Sequence, residues 1–153
     1  LYGIGDNFDR HTSHVLPALI RKAHTAKSSD ATSLTVWGIG ASRREFLYAD
    51  DLALVCVYLM QPDNFDTLLA EGFPPLLDIG AGYDVSIRKL ATLVCKVVSF
   101  QRDLTFGSSK PDGTFQKLVD ILRMKKLGWQ PSLSLKEGVR RVYEESMRSH
   151  RLA

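Results

Sequence analysis

No apolar run in this chain approaches the ~20 residues of a membrane-spanning helix. No N-terminal segment has the basic, apolar and small-residue order of a signal peptide either. Cysteine is scarce, with only Cys56 and Cys95 among 153 residues. Two cysteines without metal-ligand spacing make neither a zinc site nor a disulfide framework, so both read as buried free thiols of a reducing compartment. A formal charge of +3 is too small to imply nucleic acid. The basic residues Arg140, Arg141, Arg148 and Arg151 near the C-terminus read as the solvated end of a helix, where cations suit the helix dipole. Internal repeats, low-complexity tracts and linkers long enough to divide domains are all missing. What remains is one soluble domain, or a large piece of one, expected to be cytoplasmic.

An apolar fraction of 44% is ordinary for a globular protein. Its patterning alternates helices with short strands, which predicts an α/β architecture. Ser13 is expected to cap a helix running to about residue 27. A strand over 34–37, a short extended piece over 45–48 and a helix over 51–60 capped by Asp50 follow. A strand over 76–79 then leads through a glycine turn to a helix from Ser86 to about residue 98. A strand over 104–106, an extended piece over 117–120 and a short helix over 121–127 come next. Ser134 and Glu137 form a capping box for the last helix. The chain starts at Leu1, within a polar, glycine-rich loop, and reads as a fragment of something longer.

The densest chemistry lies between Trp37 and Asp51. An aromatic plate, the turn Gly38-Ile39-Gly40, the arginines Arg43 and Arg44 and an acidic helix start follow one another there. Arginine forks bind phosphate or carboxylate bidentately, and an indole face stacks on a base or sugar. The stretch is therefore either one wall of a site for an anionic, ring-containing ligand or a β-turn with solvated arginines. A second glycine pair, Gly80-Ala81-Gly82, follows a strand and precedes a helix, as a cofactor loop does. Neither pair completes G-x-G-x-x-G. Leu77–Gly82 is either a strand-to-helix turn that needs glycine or, as the weaker reading, a methyltransferase-like loop, for which little chain follows and no acidic residue ends the next strand. His14, at a helix start, is either a surface histidine or a proton donor, whereas His11, His24 and His150 read as solvated. Lys110-Pro111-Asp112-Gly113 is either a plain turn or a clamp, with lysine on phosphate and aspartate on hydroxyls.

Tyr2-Gly3, Asp6-Asn7-Phe8, Ser13-His14-Val15-Leu16-Pro17-Ala18-Leu19, Val36-Trp37-Gly38, Arg44-Glu45-Phe46-Leu47, Asp50-Asp51, Gly80-Ala81-Gly82 and Lys110-Pro111-Asp112-Gly113 occur in a definite order, followed by Leu127-Gly128-Trp129. No single motif is specific, but the ordered set resembles the GDP-L-fucose synthase family of extended short-chain dehydrogenases over essentially the whole chain. The resemblance implies the C-terminal, GDP-sugar-binding portion of such an enzyme over residues 1–153, including elements that complete a Rossmann sheet. It also implies an NADPH-dependent epimerase and reductase of GDP-4-keto-6-deoxy-D-mannose, homodimeric when intact, with NADP(H) held mainly by a preceding half. No Tyr-x-x-x-Lys occurs at any of the five tyrosines, so this stretch alone is expected to be inactive.

Carried over position by position, His14 matches an acid of the epimerisation that lies close to the nicotinamide. Leu1, Tyr2 and Gly3 match the end of a loop beside that ring. Lys22, Trp37, Arg44, Lys110 and Asp112 match substrate-binding positions, and no metal is implied. Lys22 stands where an arginine is common, which weakens it as a bidentate clamp. Another nucleotide-sugar epimerase or dehydratase, or a non-catalytic nucleotide-sugar-binding fragment, are the alternatives. Without a preceding sheet, the helix over 51–60 and the strand at Leu76 are expected to expose apolar surface.

Overall fold

The computed structural model describes residues 1–70, 76–107 and 113–152. Its first helix, α1 (Val15–Ser28), leads into strand β1 (Ser33–Trp37). Strand β2 (Arg43–Glu45) and helices α2 (Ala49–Leu59) and α3 (Pro62–Ala70) follow. Strand β3 (Asp84–Ser86) opens directly into α4 (Ile87–Val98), which returns to β4 (Asp103–Gly107). The short β5 (Gln116–Lys117) and α5 (Leu122–Lys126) precede the last helix, α6 (Leu135–Arg148).

β1 and β4 pair in parallel, with Ser33 opposite Asp103 and Trp37 opposite Gly107. A second sheet has the order β3-β2-β5, antiparallel between β2 and β3 and parallel between β2 and β5. The main core gathers Leu16, Ile20 and Ala23 of α1 with Leu34 and Val36 of β1. Leu90 and Val94 of α4 and Val139 and Val142 of α6 complete it. Helical spacing on α1, α4 and α6 turns one apolar stripe of each inward, and the alternation in β1 buries Leu34 and Val36 while leaving Thr35 and Trp37 outside. A smaller cluster joins Val55, Ile121 and Met124 beneath Leu77 and Ile79.

Tyr2 ties the N-terminal segment to this frame. The Tyr2 amide donates to the Leu47 carbonyl at 3.1 Å, and the Ala49 amide donates to the Tyr2 carbonyl at 2.9 Å. Its ring meets Tyr48 edge-on, with centroids 5.4 Å apart. Burial pushes the phenol above its ordinary range. The hydroxyl end reaches α6 at Gly138, where a Cβ would stand 2.0 Å from it.

Several expectations change. α1 takes His14 rather than Ser13 as its N-cap, because Asp9 Oδ1 accepts from the His11 and Thr12 amides and prolongs the preceding turn. α2 begins at Ala49, with Tyr48 rather than Asp50 as its N-cap. The bridge from Tyr2 keeps Tyr48 extended, so Asp50 and Asp51 fall in the first turn. Residues 76–79 form no strand; Leu77 and Ile79 pack on the smaller cluster instead of joining a ladder. Cys95 is buried as expected, but Cys56 is exposed. One helical step beyond buried Val55 turns it onto the outer face of α2. That face also exposes Leu54, Val57 and Met60, and Leu76 is exposed too, as the sequence leads one to expect.

Ser134 caps α6 by accepting from the Glu137 amide at 3.2 Å. The Glu137 carboxylate turns to Arg140 and Arg141 instead of closing the box.

Replacing Gly138 with alanine is expected to lower the melting temperature through an overpacking cost of about 1–3 kcal/mol. Tyr2→Phe in that background should recover part of the loss, as thermal melts would show. A second expectation concerns the ion pair that joins β2 to β3, in which Arg43 Nε donates to Asp84 Oδ1 at 2.8 Å. The hydrogen bond from Arg43 holds the Asp84 carboxyl below its ordinary value. A carboxyl with a lower pKa folded than unfolded stabilises above the ordinary carboxylate range and loses that contribution as pH falls through the folded value. Melts from pH 7 to pH 3 should therefore show the gap between wild type and Asp84→Asn closing toward acid.

Candidate functional site

Trp37 closes β1, and its position is set by backbone pairing with Gly107. The Gly38 amide donates to the Gly107 carbonyl at 2.8 Å. Beyond it the chain turns through Gly40, whose φ of 76° suits glycine, and a Cβ there would meet the Phe106 ring at 2.6 Å. The start of α4 holds this turn from the other side. The Ile87 amide donates to the Ser42 carbonyl and the Arg88 amide to the Gly40 carbonyl, at 2.9 and 3.0 Å. Arg88 also lies 3.7 Å above the Phe106 ring and donates to the Ile39 carbonyl. The turn thus uses α4's first amide donors, and the indole, 60% exposed, projects from a fixed base.

Lys22, on α1, reaches across to this plate: its ammonium stands 4.2 Å from the centre of the Trp37 ring. Burial lowers the Lys22 pKa. Lys22 also lines a cavity of about 340 Å³ between α1 and β1, together with Arg10, Arg21, Thr25 and Thr35. Among the described residues β1 pairs with β4 alone, so the cavity runs beside its unpaired edge. His14 stands at the N-cap of α1 with its imidazole exposed. Lys22 follows it by roughly two helical turns, about 12 Å along the axis on the same side of the helix.

The two arginines of the turn divide their work. Arg43 is spent on Asp84. Arg44 donates through Nη1 to the carbonyls of Arg43 and Thr114, at 2.7 and 2.6 Å, and among the described residues no carboxylate pairs with it. Its Nη2 comes within 3.1 Å of where a Cβ on Gly113 would be. Lys110 and Asp112 lie outside the described residues. The described chain on either side of them is anchored, Gly107 against Trp37 and Thr114 against Arg44.

Leu1 is exposed, while Tyr2 sends its side chain into the core and Gly3 lies against Ala49. Leu1 to Asp6 and Ala49 line an open groove of about 260 Å³. Gly80-Ala81-Gly82 has a structural task. Glu45 Oε1 accepts from the Gly82 amide at 2.7 Å, Oε2 accepts from the Val119 amide at 3.2 Å, and a Cβ on Gly82 would lie 2.3 Å from Ile121 Cδ1. Glu45, Arg88 and the Arg43–Asp84 pair shape the site although their sequence neighbourhoods gave no sign of it; their partners lie tens of residues away. Among the described residues no cluster of metal-ligating side chains is present.

Residues 1–68 match the model of the NAD dependent epimerase/dehydratase family. GDP-L-fucose synthase 1 of Arabidopsis thaliana is 45% identical over 144 residues, covering 94% of this chain and 42% of that protein. A GDP-6-OMe-4-keto-L-xylo-heptose reductase from Campylobacter jejuni superposes with a TM-score of 0.84 at 34% identity, over 97% of this chain and 51% of that one. The GDP-mannoheptose C4 reductase of C. jejuni, solved with NADP bound, gives a TM-score of 0.79 at 33% identity, over 94% of this chain and 49% of that one. The chain spans less than half the length of the curated relatives it matches. The chain thus has an α/β fold like that of these reductases, its residues 1–68 are similar to the NAD dependent epimerase/dehydratase family, and it aligns with the C-terminal part of GDP-L-fucose synthases.

Proposed function

We propose that this chain supplies the GDP-sugar-binding part of an NADPH-dependent enzyme that converts GDP-4-keto-6-deoxy-D-mannose to GDP-L-fucose by 3,5-epimerisation and 4-keto reduction. The observation that carries this reading is the exposed Trp37 ring at the end of β1 with the Lys22 ammonium over it; Arg44, held by the Thr114 carbonyl, supports it as a further position of the resemblance. An exposed indole offers a face to the ligand's rings. The Arg44 fork, already aimed by two carbonyls, neutralises diphosphate. Lys110 joins Arg44 on the phosphates, and Asp112 accepts from sugar or ribose hydroxyls.

His14 donates a proton to the sugar carbon during epimerisation, from the exposed N-cap of α1. NADPH, when bound, supplies the hydride for the keto group. The groove along Leu1 to Asp6 is open and partly apolar, with exposed Leu1 and Ile4 on it, which fits the flank of a nicotinamide ring. Leu1, Tyr2 and Gly3 line it, and the Tyr2 side chain also fixes the segment from beneath. The Tyr-x-x-x-Lys pair that activates the ketone comes from outside these residues. A cytoplasmic location and a homodimer of the intact enzyme belong to the same reading.

A second reading keeps GDP and changes the sugar, since two structural relatives are named as GDP-heptose reductases. Calorimetric titration of the full-length protein with GDP, UDP, GDP-L-fucose and a GDP-heptose separates the two. GDP should bind at least about tenfold more tightly than UDP, with the fucose or heptose conjugate deciding the sugar. Arg44→Ala is expected to weaken GDP by about tenfold or more, with Arg44→Lys between, because lysine keeps the charge but not the fork. Equal affinity for GDP in Arg44→Ala would remove Arg44 from the site.

A further inference from the structure

The ammonium of Lys22 occupies the place a ligand ring would take on the Trp37 face. An ion 4.2 Å from the indole centre and a ring stacked on the same side exclude each other. The two side chains differ in freedom. Trp37 is held by the β1–β4 pairing and the pinned turn behind it. Lys22 sits at the end of a four-carbon stem on α1 and lines the adjoining cavity, so it has somewhere to go. What would move it is an anion: diphosphate attracts the ammonium more strongly than the face of an indole does.

We infer that Lys22 is a specificity-determining residue that covers the Trp37 face until a diphosphate draws it away, so that ring stacking is coupled to phosphate recognition. The inference rests on the nucleotide-sugar reading above. A nucleoside without phosphate must displace the lysine at a cost, whereas a nucleoside diphosphate offers it a better partner. The site would thereby reject free nucleosides that share the same base. Burial of the lysine, which already disfavours its charge, works in the same direction. An arginine at this position would stack flat and leave less readily.

The test is calorimetric titration of guanosine and of GDP into the full-length protein carrying this chain, as wild type, Lys22→Met, Trp37→Ala and the double variant. Lys22→Met should bind guanosine about threefold more tightly, and its preference for GDP over guanosine should fall by about tenfold. The gain for guanosine should vanish when Trp37 is alanine. Lys22→Gln should repeat the pattern, which guards against an effect of methionine itself. Guanosine affinity that is unchanged or weaker in Lys22→Met, or a gain that persists without Trp37, would overturn the coupling while leaving GDP binding intact. Absence of GDP binding to the wild type would remove the nucleotide-sugar reading and the coupling together.

Discussion

The candidate site depends on the parallel pairing of β1 with β4. Among the described residues two strands and three helices separate them in the chain, yet their registered backbones bring Trp37 beside Gly107. Parallel strands need a long crossover, and here the crossover itself supplies the turn, Arg44 and the helix α4 that braces them. Helices α1 and α4 pack over the pair and bury Leu34 and Val36, so the ladder is held by apolar burial as well as by its hydrogen bonds. If this pairing slipped by one residue, Trp37 would turn inward and Val36 outward, and the aromatic plate would be lost.

Around that ladder, similar side chains have been given different work. Arg43 and Arg44 are adjacent, but alternation along β2 sends one to Asp84 and the other to the carbonyls of Arg43 and Thr114. One arginine therefore fastens the small sheet, and the other is the one proposed for the diphosphate. Glu45 continues the pattern by satisfying the amides of Gly82 and Val119. The glycine-rich loop that imitates a cofactor cradle is thus filled by protein, and its glycines answer to Ile121 and Glu45 rather than to a phosphate.

Much of the architecture was legible from local signals. Helical periodicity and the serines before α4 and α6 located those helices well, because a cap and an apolar stripe are properties of neighbouring residues. The misses arose where distant partners decide. Tyr2 bridging to Tyr48 moved the start of α2, and among the described residues no strand pairs with residues 76–79, which left an apolar run without a ladder. Cys56 was misplaced because α2 is apolar on both faces, so composition could not say which side meets the core. At the site, the residue types of Trp37 and Arg44 suggested the chemistry, and the ordered motifs suggested the ligand. The cation over the indole was not legible, since Lys22 and Trp37 meet only through packing of α1 on β1.

The most direct measurement is a crystal structure of the full-length protein with GDP bound. The account predicts a ring of the nucleotide against the Trp37 indole, the diphosphate within hydrogen-bonding distance of the Arg44 guanidinium, and the turn at Gly40 unmoved. GDP seated on the Gly80–Gly82 loop, or bound without contact to either Trp37 or Arg44, would contradict it.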